Sequence, residues 1–240
     1  MYNAHRTSMS LLSLPAELRL QIYQNLPHLR PGRSETVAPR IAITPAISRV
    51  NCKLRQESLP IYAENAHFFI QADEESLPAS DRVAAWLFAL GSAIKHVRSF
   101  QLSRHWIGSH PTRWQGHVGF YVRLERLDDA WQVKAGTYPI AGDIRAMRAE
   151  SVELLQYVVR QNVVLPLNMR DKPELQAQDV QFVAAAIAVV ATHPISAVDT
   201  EQSVAGGQRR RKAWSQLEGA LLALKPAAGE HDVWPSRTLR

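Results

Sequence analysis

The chain has 240 residues, and its 28 Lys and Arg against 22 Asp and Glu give a formal net charge of +6. With 46% hydrophobic and 21% charged residues it has the composition of a folded globular protein, which excludes a wholly disordered chain and a collagen-like repeat. Cys52 is the only cysteine, so an intrachain disulfide framework and paired-cysteine zinc motifs are excluded. The longest apolar run, 182–191, is about half of the ~20 residues that a membrane span needs. The start of the sequence lacks a secretory signal, so we expect a cytosolic or nuclear protein without membrane association.

The first predicted helix follows a flexible leader at residues 1–10. Pro15 suits its first turn, where the missing N–H costs no hydrogen bond. Apolar residues then recur at every fourth position, the spacing that places side chains on one helix face: Leu14, Leu18, Ile22 and Leu26. Residues 27–43 contain three prolines and Gly32, and the sequence predicts a loop there.

A second helix is predicted to start with Thr44 as its cap and to break or bend at Pro60. A short helical turn at 61–65 and a buried strand at 67–70 are predicted to follow it.

The middle of the chain mixes helix and strand periodicities. The predicted elements are a helix at 80–94, a strand at 97–102, an irregular segment at 103–117, and a hairpin of strands 118–124 and 131–134 that turns at Asp128-Asp129.

The last third is predicted to be helical. Asp143 caps one helix, Pro166 and Pro173 bracket a loop, and an Ala-rich helix covers 180–190. Gly206-Gly207 predicts a flexible joint before a final amphipathic helix at 214–224, and residues 226–240 are predicted to be disordered.

Two blocks of sequence carry a recognisable pattern. The first is LLSLPAELRLQIY at 11–23, and the second is PAISRVNCKLRQESLPIY at 45–62, followed by Asn65 and Phe68. In this order they resemble the F-box-like proteins abundant in filamentous fungi, in which an L-P-x-E-L-R-x-x-I-Y helix precedes an R-x-E-x-L-P-x-Y helix. A later stretch, 86–98, is similar to the continuation of that family. The resemblance covers about residues 11–102 of this sequence.

The resemblance implies a non-catalytic interaction adaptor. In an F-box protein, a helical module docks on a Skp-type adaptor of an SCF-type ubiquitin ligase, and the rest of the chain captures a substrate, here of unknown identity. Carried over by position, the partner-binding residues are Leu14, Pro15, Leu18, Ile22 and Leu26. Anchors at this spacing suit a helix that lies in an apolar groove. The alternative is that the same stripe packs in the core of the chain itself, as amphipathic helices commonly do.

The fold class expected from these patterns is α+β, with a helical F-box-like N-terminal module, a small antiparallel sheet in the middle and a helical C-terminal part. The expected divisions are the leader at 1–10, the F-box-like module at 11–72, an α+β partner- or substrate-binding region at 73–200, and a basic amphipathic helix with a disordered tail at 201–240.

A basic cluster provides an alternative function. Arg209, Arg210, Arg211 and Lys212 are of the type that forms nuclear-import addresses or contacts nucleic-acid phosphates. The same run also fits the solvated start of a helix.

No catalytic, cofactor or metal site is predicted. The sequence contains neither G-x-S-x-G nor H-E-x-x-H, and phosphate-binding glycine motifs are absent as well. His105, His110 and His117 do not have the spacing of a metal site. With Trp106 and Trp114, they fit a partly buried loop better than a surface for stacking nucleic-acid bases.

Overall fold

The computed structural model describes residues 10–37, 43–71, 79–107, 117–137, 145–192 and 204–224. The helices in this part of the chain are α1 (Ala16–Asn25), α2 (Cys52–Asn65), α3 (Ala79–Leu90), α4 (Arg145–Val159), α5 (Leu165–Met169), α6 (Ala177–Thr192) and α7 (Val204–Leu222). The strands are β1 (Arg33–Val37), β2 (Ala66–Gln71), β3 (Ser99–Ile107), β4 (His117–Leu127) and β5 (Ala130–Thr137).

The strands form one five-stranded sheet in the order β1-β2-β3-β4-β5. The pairs β3–β4 and β4–β5 are antiparallel, while β1–β2 and β2–β3 are parallel. The predicted α+β class is therefore confirmed, and the sheet is mixed rather than antiparallel throughout. Hydrogen bonds between β2 and β3 join the segment 11–72 to the segment that follows it.

Strand β1 lies inside the segment 27–43, so the prediction of a loop was wrong for residues 33–37. Its sequence, RSETV, has no apolar alternation, and only Val37 in it is buried. Pairing with β2 therefore decides its conformation, and tertiary contacts of this kind are not visible in local sequence.

Aromatic side chains link the helices to one face of the sheet. Phe68 on β2 makes edge contacts with Tyr62 of α2 and Trp86 of α3, at centroid distances of 5.4 and 5.2 Å. Trp86 also lies 5.9 Å from Phe100 on β3. All four rings belong to a single buried cluster that also contains the apolar side of α6. The first and second halves of the chain thus share one core.

Residues 61–65 are helical as predicted, but they continue α2, which passes through Pro60 without a break. Pro60 removes one backbone hydrogen bond, but the turns on both sides of it are buried through Leu59 and Tyr62. The cap is also different from the prediction, because the Asn51 side chain accepts a hydrogen bond from the backbone N–H of Lys53 at 2.8 Å.

The predicted hairpin is confirmed as β4 and β5. Asp128 and Asp129 have φ of 48° and 64°. Positive φ at both central residues is the geometry of the tight turns that connect antiparallel strands, and aspartate tolerates it better than most residues. Strand β3 extends to Ile107, so 103–107 is strand and not irregular as predicted.

Two predicted interruptions in the C-terminal part are helical instead. Pro166 lies in the first turn of α5, directly after a π-helical turn at Arg160–Val164, and not at the edge of a loop. Gly206 and Gly207 lie inside α7 and form no joint. Proline is compatible with a first helical turn, and glycine lowers helix stability by only ~1 kcal/mol per residue. Asp143 and residues 226–240 are outside the described residues.

Candidate docking surface

The apolar stripe of the first block faces solvent. Leu18 and Ile22 on α1 are 45% and 37% exposed, and Pro15 is exposed at the start of the helix. Leu14 and Leu26, at the two ends, are half-buried, and Leu26 packs against the core. The sequence left open whether the stripe binds a partner or packs in the core of the chain. Leu18 and Ile22 do not pack in the core.

These side chains line a shallow open groove of about 500 Å³ on the surface of α1. Its lining is Leu14, Leu18, Gln21, Ile22, Asn25 and Leu26. Gln21 and Asn25 were not among the predicted site residues, although their positions on the same helix face follow from the 3.6-residue period. The groove is therefore mostly aliphatic with two amides.

The buried flank of α1 is polar. Arg19 is 3% exposed and Tyr23 is fully buried, and both contact Glu57 of α2. The Arg19 guanidinium donates to both carboxylate oxygens, from Nη2 at 2.5 Å and from Nε at 2.8 Å. The Tyr23 hydroxyl donates to Glu57 Oε2 at 2.9 Å. We call these three residues the α1 anchor.

Arg19 and Glu57 of the anchor form a charged pair near neutral pH. The hydrogen bonds from Arg19 lower the pKa of the Glu57 carboxyl to about 2, against the partial opposition of burial. Burial, together with the hydrogen bond to Glu57, raises the pKa of the Tyr23 hydroxyl. Glu57 is therefore a carboxylate and Tyr23 a neutral donor near neutral pH.

The anchor connects the two motif blocks, because Arg19 and Tyr23 belong to the first and Glu57 to the second. Sequence reasoning assigned no role to any of the three. A charged residue next to an apolar stripe is usually solvent-exposed, and nothing in the local pattern shows that Glu57 meets Arg19 from 38 positions away.

Other residues of the second block hold the fold together. The Arg55 guanidinium donates to the carbonyl of Ala89 at the end of α3, at 2.5 Å. The Asn65 amide donates to the carbonyl of Leu29 at 2.8 Å, and the Asn65 carbonyl accepts from the N–H of Gly32 at 3.0 Å. These contacts give the block a structural role that does not depend on a partner.

The predicted basic cluster lies on α7, which packs on the core through Leu217 and Leu221. Arg211 and Lys212 are exposed. The side chains of Arg209 and Arg210 are outside the described residues.

The described residues contain no cluster of three or more His, Cys, Asp or Glu suited to a metal ion. Cys52 is exposed at the start of α2. The side chains of His105, Trp106 and His117, as well as His110 and Trp114, lie outside the described residues, so the roles considered for them stay predictions.

No helix in the described ranges is both long enough and apolar enough to cross a bilayer. Comparisons with protein-family models, curated proteins and solved structures find no match to the chain. The resemblance to F-box-like proteins therefore stands only on the residues of the two blocks and of the stretch 86–98.

Proposed function

We propose that the protein is a non-catalytic interaction adaptor of the cytosol or nucleus that docks through the stripe of α1 onto a Skp-type adaptor, and so recruits a substrate protein to an SCF-type ubiquitin ligase. One observation carries the proposal: Leu18 and Ile22, the central side chains of the stripe, are exposed and line an apolar groove. The resemblance of the two blocks to F-box-like proteins supplies the type of partner.

The stripe supplies part of the apolar surface that a complex would bury. Burying a Leu or Ile completely contributes ~1.5–3 kcal/mol. When a partner covers them, Leu18 and Ile22 would each contribute about half of that free energy, because each side chain is already partly buried in the free protein. With Leu14, Pro15 and Leu26 at the ends of the stripe, the helix presents anchors at the spacing of a helix bound in a groove.

The test is capture of the protein by a purified Skp-type adaptor. Leu18→Asp and Ile22→Asp place a charge in the proposed contact, and each is expected to abolish capture, since a buried unpaired carboxylate is strongly unfavourable. Leu20→Asp is the matched control, because Leu20 is 40% exposed on the same helix but does not line the groove.

The control is expected to be captured like the wild type. If Leu18→Asp and Ile22→Asp were captured as well as the Leu20→Asp control, the stripe would be rejected as the interface. Failure of the wild-type protein to bind would reject the Skp-type partner.

A second candidate function is nucleic-acid binding through the basic cluster of α7. The observation that favours it is the exposure of Arg211 and Lys212 on this helix. Phosphate contacts release counterions, so binding to a mixed-sequence DNA duplex is expected to weaken steeply with salt. Arg211→Gln/Lys212→Gln is expected to reduce both the affinity and the salt slope. Lack of retention of the wild type on DNA and RNA at low salt would rule this function out.

A further inference from the structure

The α1 anchor also reaches the groove itself. The second terminal nitrogen of the Arg19 guanidinium, Nη1, donates to the backbone carbonyl of Leu14, the first residue of the stripe. One guanidinium therefore links Glu57 of α2 to the backbone at the edge of the groove. The turn that carries Leu14 is fixed by a side chain that α2 holds in place.

Because of the geometry of the helix, this link affects which side of α1 faces solvent. Arg19 and Tyr23 each follow a stripe residue by one position, Leu18 and Ile22, and successive residues are ~100° apart around an α-helix. These two are the buried residues of α1, and both are held by Glu57. The buried side of α1 therefore makes directional polar contacts to α2 beside the apolar burial of the Tyr23 ring, whereas α6 is held by a broad apolar face.

We propose that Glu57 is a positioning residue for the docking surface: through Arg19 it fixes the rotation of α1 and the backbone at Leu14, and so keeps the apolar stripe turned to solvent. What the stripe binds rests on the proposed function, but the positioning of α1 does not.

The alternative state of the helix explains why such a residue is needed. A rotation of α1 by about one residue position would bring Leu18 and Ile22 towards α2 and carry Arg19 out to water. Without the Glu57 carboxylate, the Arg19 charge would be buried and unpaired, which is strongly unfavourable. Rotation or detachment of α1 would then relieve it. The Glu57 carboxylate therefore determines whether Leu18 and Ile22 face solvent or face α2.

Amide hydrogen exchange tests the proposal without any partner. Glu57→Gln keeps the size of the side chain and removes its charge. The amides of residues 19–25 in α1 are expected to exchange about tenfold faster or more in this variant, because hydrogen bonds to charged groups are the stronger ones. The amides of β3 and β4 are expected to keep their wild-type protection.

Glu64→Gln is the matched control on the same helix. Glu64 pairs with Arg98, and their side chains are 44% and 57% exposed. Its loss removes an ion pair of the same chemical type without touching α1, and exchange is expected to stay unchanged throughout. Wild-type protection of α1 in Glu57→Gln would overturn the proposal. Equal acceleration in α1 and in the strands would also overturn it, because the anchor would then serve general stability only.

Affinity for the Skp-type adaptor, measured by calorimetry, provides the second test. Glu57→Gln is expected to bind about tenfold more weakly than Glu64→Gln. Because the apparent Kd is inversely proportional to the fraction of correctly placed helix, this loss corresponds to α1 being misplaced in about nine molecules of ten and its amides losing nearly all of their protection. Equal affinities of these two variants would overturn the positioning role. If the wild-type protein does not bind the adaptor, the proposed function fails, and the exchange of the α1 amides still decides the role of Glu57.

Discussion

Replacing Leu18 with Ala distinguishes a docking surface from a core stripe by its effect on stability. Complete burial of a leucine contributes ~1.5–3 kcal/mol, and Leu18 is 45% exposed in the free protein. The substitution therefore removes at most about half of that contribution, roughly 0.8–1.6 kcal/mol. Alanine returns a few tenths of a kcal/mol, roughly, through its higher helix propensity. We expect the free energy of unfolding to fall by less than about 1.5 kcal/mol.

Leu54→Ala in α2 provides the reference for a core position. Leu54 is 5% exposed, and truncation of such a leucine typically costs ~2–5 kcal/mol. Equilibrium urea unfolding followed by far-UV circular dichroism measures both variants, with equal denaturant slopes required for the comparison. If Leu18→Ala lost as much stability as Leu54→Ala, the stripe would pack inside the chain, and the docking surface would not exist.

Three further predictions concern the anchor and the sheet. The pKa of Glu57 is lowered from 4.5 to about 2. The contribution of Glu57 to stability is therefore complete above about pH 5 and is lost as the pH falls towards 2. Urea midpoints measured across this range are expected to fall less in Glu57→Gln than in the wild type. Gly136→Ala places a Cβ 2.5 Å from the Tyr121 ring, and unfolding experiments are expected to show a loss of about 1–3 kcal/mol that is smaller in a Tyr121→Ala background. Asn168 bonds the N–H and carbonyl of Trp131 on edge strand β5, at 2.7 and 3.0 Å; Asn168→Ala is expected to lose about 1–2 kcal/mol and to promote self-association measurable by light scattering.

Elements with a strong internal period were predictable from sequence. The alternation in β4, the turn at Asp128-Asp129 and the apolar periods of α3 and α6 each specify a local structure that tertiary packing does not have to override. Strand β1 was not predictable, because its pairing with β2 and not its own composition makes it a strand. Pro60 led to a wrong interruption for a related reason: the local cost of the proline is smaller than the gain from burying the turns around it. Gly206 led to another because a glycine inside a helix lowers its stability by only ~1 kcal/mol.

The candidate surface shows the same division between local pattern and tertiary structure. Spacing alone identified the stripe through Leu18 and Ile22, but spacing is identical for a buried and an exposed stripe. The direction of the stripe is set by Arg19, which its chemistry alone would have placed in water. Its burial depends on Glu57, whose position in space follows only from the packing of α2 beside α1.

A buried ion pair such as Arg19–Glu57 is not the most stabilising way to hold α1 against α2. Buried ion pairs are often replaced by apolar residues of similar size with no loss of stability, whereas removal of one partner is costly. Arg19→Met/Tyr23→Phe/Glu57→Leu is therefore expected to unfold at or above the wild-type urea midpoint, because three apolar side chains fill the same space and the buried Tyr23 hydroxyl is not left without its acceptor. The same triple variant is expected to bind the Skp-type adaptor more weakly, since apolar contacts do not fix the rotation of α1 as hydrogen bonds do. A variant that keeps full affinity as well as full stability would show that shape alone holds the helix, and that the charges of the anchor have no part in presenting the stripe.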